Sequence, residues 1–136
     1  MKKIIRFILG IVLLVLIAYL VVITLPKAKI DNAEVDYVIG ATELYEQYEA
    51  DEQKANASYL GKIIEVQGKI QMIEEDQAGA TVIILNCDDG FGGVMCTLAE
   101  GSKARLFEVN QDITIIGLCT GKLMDVVLNK CVVVYG

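Results

Sequence analysis

The most reactive side chains in this sequence belong to four cysteines, and their spacing fits no common metal or redox motif. No two of them form a Cys-x-x-Cys pair, which argues against zinc ribbons and thioredoxin-like sites. Three roles remain open for them: buried core thiols, at least one disulfide, or a metal or redox site. Among the disulfide pairings, Cys119 with Cys131 is the leading candidate. The four residues are Cys87, Cys96, Cys119 and Cys131.

The second chemical feature is the complete absence of histidine. This removes Ser-His and Cys-His nucleophile pairs, histidine-ligated metals and the usual general base near neutral pH. Acidic residues cluster at 74–76 and 88–89, but their spacing does not match an EF-hand calcium loop, and we interpret them as solvated turn residues. We therefore predict no catalytic residue, no metal and no cofactor. A carboxylate-dependent envelope hydrolase is the weakest alternative, since it needs two acids about 5–10 Å apart in one pocket.

The charge of the chain weighs against nucleic acid as its main partner. The net charge is −6, and residues 26–136 carry nine basic and eighteen acidic side chains. Affinity for DNA or RNA comes largely from neutralising phosphates, which an acidic domain is poorly suited to do.

The N-terminus has the pattern of a membrane anchor. Residues 7–25 contain no charge and follow Lys2, Lys3 and Arg6. At about 1.5 Å per residue this run can cross a hydrocarbon core of roughly 30 Å. No small-x-small cleavage site follows it, so an uncleaved anchor is favoured over a cleaved signal peptide. The basic residues ahead of the run place the N-terminus in the cytoplasm and the domain outside, in a single-pass membrane protein.

The segment after the anchor divides into a linker and a helix. Residues 26–40 have mixed charge and no periodicity, and we interpret them as a linker. Thr42 is a good N-cap residue, and helical spacing predicts one amphipathic helix of about four turns ending near Ser58. We expect its tyrosines to pack on a neighbouring sheet, with a ligand platform as the alternative. The apolar stripe comprises Leu44, Tyr48, Ala55 and Tyr59, with Tyr45 beside it.

The clearest strand pattern covers residues 62–73, where apolar and polar residues alternate with a period of two. Gly68 lies mid-strand on the apolar face, which usually marks a bulge or a sharp bend. A strand that bends at its middle can join two parts of a sheet and close a small barrel. The predicted buried face consists of Ile64, Val66, Gly68, Ile70 and Met72.

Four further strands and one short helix follow in an order typical of an OB barrel. Strands are predicted at residues 81–85, 94–98, 113–120 and 125–134, with a short helix at 102–109 between the third and fourth strands of the barrel. We therefore predict a mainly β fold, a five-stranded OB-fold Greek-key barrel with a preceding amphipathic helix and an N-terminal transmembrane helix. The predicted units are an anchor at 1–25, a linker at 26–40, and the helix plus OB-fold domain at 41–136.

Three segments resemble a known bacterial family of OB-fold domains. The first is YLGKIIEVQG at residues 59–68 with the tyrosine-rich helix before it, and residues 113–121 and 125–131 resemble the last two strands. The family is the tRNA_anti-like family, which is similar to tRNA-anticodon-binding domains. Membership implies an OB fold and an envelope location, because members are often anchored or lipidated at the N-terminus. The family name implies nucleic-acid binding, and the acidic charge of this chain departs from that expectation.

The expected ligand surface is the one that OB domains use most, the outer face of the second and third strands with its flanking loops. A single-strand binder needs several aromatic rings and a basic groove, and one phenylalanine and one lysine do not supply them. We therefore predict a non-catalytic, membrane-anchored binding module of the cell envelope with a protein, peptide or glycan partner. A nucleic-acid-binding OB domain is the alternative. The candidate ligand-binding residues are Lys69, Gln71, Phe91, Met95 and Thr97.

Overall fold

A computed structural model describes residues 1–24, 34–88, 92–100 and 107–134. The predicted short helix at 102–109 lies largely outside these residues, and residues 107–111 lead into the next strand through a turn. The described elements are α1 (Lys2–Thr24), β1 (Tyr37–Gly40), α2 (Ala41–Ala50), α3 (Glu52–Tyr59), β2 (Ile63–Glu75), β3 (Thr81–Asn86), β4 (Gly93–Leu98), β5 (Asp112–Lys122) and β6 (Val126–Val134).

Helix α1 has the length and composition of a membrane span. Lys2–Ile23 contains an apolar window with a mean hydropathy of 2.9, and none of that window is buried inside the structure. A signal sequence near an N-terminus has the same properties. The helix therefore fits a membrane span or a signal anchor.

Five strands close into a barrel, which confirms the predicted fold class. Strand β2 pairs with β3, β3 with β4, β4 with β6, and β6 with β5, which returns to β2. The β4–β6 pairing is parallel, and the other four are antiparallel. This connectivity is the Greek key of the OB fold. The core inside the barrel contains residues from all five strands and from α2 and α3.

Strand β2 closes the barrel because it pairs with two strands in succession. Its residues 63–69 pair with β5, and its residues 70–75 pair with β3. Gly68 lies just before this change, and a Cβ at that position would be 3.0 Å from the Cβ of Ala41 in α2. A bulge between Ile70 and Met72 then shifts the alternation by one residue. The prediction that Met72 is buried is therefore wrong: Met72 is 46% exposed, and Ile73 packs against the core.

The last four residues of the predicted linker form a strand, β1. This strand pairs in parallel with β2, with Tyr37 opposite Ile64. Two hydrogen bonds between Asp36 and Ile63 hold the start of β1 against β2. The Ile63 amide donates to Asp36 Oδ2 at 2.9 Å, and the Asp36 amide donates to the Ile63 carbonyl. The linker interpretation is therefore wrong for Tyr37–Gly40, which extends the barrel sheet by one short strand.

The predicted single helix is two helices, and this correction has a local cause. Asp51 adopts an extended conformation (φ −161°), which ends α2, and its Oδ1 accepts the Lys54 amide at 3.1 Å, which caps α3. Thr42 is not the N-cap of α2, because that position is Gly40. The predicted packing of the tyrosines on the barrel is confirmed, since Tyr45, Tyr48 and Tyr59 are at most 7% exposed.

We expect Asp51→Ala to lower the free energy of unfolding by about 1 kcal/mol, because it removes the side-chain cap of α3. In a domain of this size that corresponds to a melting temperature about 4–8 °C lower. The measurement is thermal unfolding of the full chain, and Gln53→Ala in the same helix, which removes no cap, should change stability by no more than about 0.3 kcal/mol. Equal destabilisation by the two substitutions would contradict this role of Asp51.

Candidate functional site

Four apolar side chains form a row across the outside of the barrel. Met72 lies opposite Ile84, Ile84 opposite Met95, and Met95 opposite Val127, so the row crosses β2, β3, β4 and β6. Their neighbours along β3, β4 and β6 are buried in the core, so the alternation of the strands turns these four outward. We call Met72, Ile84, Met95 and Val127 the methionine face. At about 4.8 Å between strands it is roughly 15 Å long.

A second row runs parallel to the methionine face, and Val82 at its centre is buried. Glu74 lies opposite Val82, and Val82 lies opposite Thr97. On β6 the neighbouring position is a bulge in which Lys130 has a positive φ of 52°. This row therefore has an acid at its β2 end and a single lysine at its β6 end.

The two ends of this surface differ in chemistry. The β5–β6 turn exposes Leu123 and Met124, at 87% and 81%, and Asp125 holds it beside β4 by accepting the Gly93 amide at 2.8 Å. The β2–β3 turn carries Glu75 and Asp76 after Glu74. The Oδ1 atom of Asp76 accepts the amides of residues 78 and 80, whereas Glu74 and Glu75 are exposed. An apolar tip and an acidic turn therefore border the methionine face.

Basic side chains in the described part of the domain mostly lie away from this surface. Lys69 forms an ion pair with both oxygens of Asp112 at 3.1 Å on the β2–β5 side. Lys122 contacts Glu49 of α2, and its Nζ lies 5.3 Å from the centre of the Tyr45 ring. Lys130 is the one described lysine beside the two rows. Among the described residues, this surface therefore offers one cation to a phosphate group, and affinity for a nucleic acid comes largely from such contacts.

The contact between Lys122 and Glu49 predicts a pH dependence of stability. The hydrogen bond from Lys122 lowers the pKa of the Glu49 carboxyl below its ordinary value. A carboxylate with a lowered pKa in the folded state contributes stability that is complete above its unfolded pKa and is lost as the pH falls through the folded pKa. We expect the free energy of unfolding of the native chain to fall more steeply than that of Glu49→Gln between about pH 5 and pH 3. The measurement is the difference in free energy of unfolding between the two proteins across this range. If the stability of the two proteins changed equally with pH, the ion pair would not have this role.

Known proteins share the fold of this chain. The sequence matches the family model tRNA_anti-like over residues 1–133. The chain belongs to the tRNA_anti-like family. A solved structure of a lipoprotein from Klebsiella pneumoniae subsp. pneumoniae, named as a candidate nucleic acid-binding protein, is similar with a TM-score of 0.59 and 18% identity. The similarity covers 71% of this chain and 91% of that one, and at this identity it shows the fold. No curated protein matches the chain.

In this tRNA_anti-like domain the predicted site residues do not all come together. Met95 and Thr97 lie on the outer face of β4, in the two rows. Gln71 is exposed at the β2 bulge. Lys69 is paired with Asp112 in the half of β2 that faces β5. Phe91 lies outside the described residues.

Three members of the methionine face were missed by sequence analysis. Met72 was assigned to the core because the bulge that turns it outward depends on the register with β3. Ile84 lies in a strand that is apolar on both faces, so alternation could not show whether its side chain points inward or outward. Val127 could have been assigned to the outer face by alternation, because Val126 and Leu128 on either side of it are buried.

All four cysteines are buried in the structure of this tRNA_anti-like chain, and no disulfide joins them to one another. Cys119 lies opposite Leu128 and Cys131 opposite Leu98, so the leading predicted disulfide pair is not aligned. Cys119 Sγ lies 3.4 Å from the Tyr48 hydroxyl, and Cys87 donates to the Ala41 carbonyl at 3.4 Å. Contact with Cys131 and burial raise the pKa of Cys96 well above its ordinary value, which keeps this thiol protonated.

A pocket in the described part of the domain contains two carboxylates, which bears on the hydrolase alternative. This pocket has a volume of about 240 Å³ and lies between the start of α2 and β2. Asp88, Asp112 and Lys69 are among the residues that line it. The Asp112 side chain is 81% exposed and ion-paired. A catalytic acid pair depends on environments that differ in burial, and Asp88 and Asp112 are both exposed. In the described ranges, no three His, Cys, Asp or Glu side chains converge to hold a metal ion.

Proposed function

We propose that this member of the tRNA_anti-like family is a membrane-tethered, non-catalytic module that binds a macromolecular ligand on the methionine face. The observation that carries the proposal is the row of Met72, Ile84, Met95 and Val127, which is apolar and lies on the outside of a closed barrel. Met72 is exposed, and Ile84, Met95 and Val127 are half-buried. Contiguous apolar side chains on an outer surface are a feature of interaction sites.

The membrane part of the proposal follows from α1. Lys2–Ile23 is long and apolar enough to span a bilayer, and the basic residues before it favour a cytoplasmic N-terminus. The domain then lies outside the cytoplasm. Residues 25–35 reach at most about 40 Å, so the methionine face operates close to the membrane.

The proposal is tested by photo-crosslinking in intact cells. The full chain carries p-benzoylphenylalanine in place of Ile84, or, as a control, in place of Glu46, which is exposed on α2. We expect an adduct from position 84 and none of comparable yield from position 46. Adducts of equal yield from both positions, or none from position 84, would contradict a binding role for the face.

A nucleic-acid ligand is the second candidate, because the similar Klebsiella lipoprotein is named as a candidate nucleic acid-binding protein. The same adduct separates the two cases. A nucleic-acid ligand gives an adduct that nuclease shortens, whereas nuclease leaves the adduct of a protein ligand at its full length. Retention of single-stranded DNA or RNA that weakens steeply with salt would support the second candidate.

A further inference from the structure

We infer that the ligand of the methionine face is an extended polypeptide segment with apolar side chains along one edge and a basic residue at the end that meets the β2–β3 turn. This inference rests on the proposed function and names the chemistry of the partner.

The length of the face fits a short extended segment. A strand rises about 3.3 Å per residue, so a row of roughly 15 Å accommodates about five residues, of which three side chains point at the barrel. Two of the four residues of the row are methionines, whose unbranched side chains adapt to different apolar partners. The surface therefore accepts apolar side chains of several shapes along one line.

The charge around the face sets the direction of the segment. Glu74 lies on the same outer face as Met72 and two residues beyond it, and Glu75 follows. Neither carboxylate makes an ion pair with another described residue. At the opposite end the β5–β6 turn is apolar, with Leu123 and Met124 exposed. A basic side chain of the ligand is therefore expected at the acidic turn, with the apolar part toward Leu123.

The same features disfavour a nucleic acid. In the described residues, the two rows contain no aromatic ring on which a base could stack, and Lys130 is the single cation beside them. Single-strand binders combine stacking rings with a basic groove. The acids at the β2–β3 turn would repel a phosphate backbone.

The test is a selection of 12-residue random peptides displayed on phage against the full chain in phosphatidylcholine nanodiscs. Empty nanodiscs remove peptides that bind lipid. We expect enrichment of sequences with alternating apolar residues and a terminal lysine or arginine. Selection of acidic peptides, or no enrichment over empty nanodiscs, would overturn the inference.

Charge reversals then test the direction of the bound segment. A selected peptide, made synthetically, should bind Glu74→Lys at least fivefold more weakly than the native chain, and Glu75→Lys should also weaken it. Glu46→Lys makes the same charge change on α2 and should alter affinity by less than twofold. Equal losses from Glu74→Lys and Glu46→Lys would overturn the assignment of the basic end.

The two levels of the proposal fail differently. If the crosslink from position 84 yields a nucleic acid or a glycan, the face binds a ligand and the polypeptide inference is wrong. If position 84 yields no adduct and no peptide is selected, the proposed function fails as well.

Discussion

Gly117→Ala should lower the free energy of unfolding of this chain by about 2–3 kcal/mol. Gly117 lies in β5 inside the barrel, and a Cβ there would be 2.5 Å from Cys131 Sγ and 3.1 Å from Leu128 Cβ. Both neighbours are fully buried. The backbone of β6 fixes Leu128 Cβ, and Cys131 Sγ is enclosed by the core, so the added methyl group strains the packing.

The measurement for Gly117→Ala is urea unfolding of the full chain in detergent, followed by the near-ultraviolet circular dichroism of the tyrosines. Gly40→Ala is the matched control, because a Cβ at that position has no neighbour within 4 Å and φ is −71°. The control should lower stability by no more than about 1 kcal/mol, because Ala replaces Gly at the N-cap of α2. A loss below 0.5 kcal/mol for Gly117→Ala would contradict the packing described for the barrel interior.

Ile84→Glu should weaken binding of a selected peptide at least tenfold and leave the barrel folded. Ile84 lies at the centre of the methionine face between Met72 and Met95. A carboxylate there would have to lose its water against apolar side chains when the ligand binds, which is costly at the centre of an interface. The half-buried side chain already touches solvent, so the cost in the free protein is smaller.

Ile116→Glu is the control for this second prediction. Ile116 is also half-buried and outward-facing, but it lies on β5 opposite Glu65. We expect a comparable change in melting temperature and less than a twofold change in peptide affinity. Equal losses of affinity from the two substitutions would show that binding responds to the barrel as a whole, and would contradict the assigned face.

The alternation of apolar residues predicted the barrel because it is a local property of each strand. Ile64, Val66 and Ile70 are buried as expected, and Gly68 lies where β2 changes partners. Strand β1 was missed because four residues contain too little alternation to stand out and because its pairing with β2 is distant in sequence. The break at Asp51 was missed because Ala55 and Tyr59 keep the phase of the apolar stripe across it.

The candidate site was only half predictable, for a different reason. Met95 and Thr97 follow from simple alternation along β4. The pairing of β2 with β3 contains a bulge before Met72, and no local sequence pattern indicates this bulge. A one-residue shift exchanges the faces of a strand, so Gln71 was predicted where Met72 contributes to the row.

The central claim, that the methionine face binds a polypeptide, is tested most directly by nuclear magnetic resonance of the methionine methyl groups. The chain has four methionines: Met72 and Met95 in the face, Met124 at its apolar end, and Met1 at the N-terminus as an internal control. With the full chain in nanodiscs, a selected peptide should shift the signals of Met72 and Met95, while a single-stranded oligonucleotide leaves all four unchanged. Shifts caused by the oligonucleotide, or a bound peptide that leaves Met72 and Met95 unchanged, would contradict the claim.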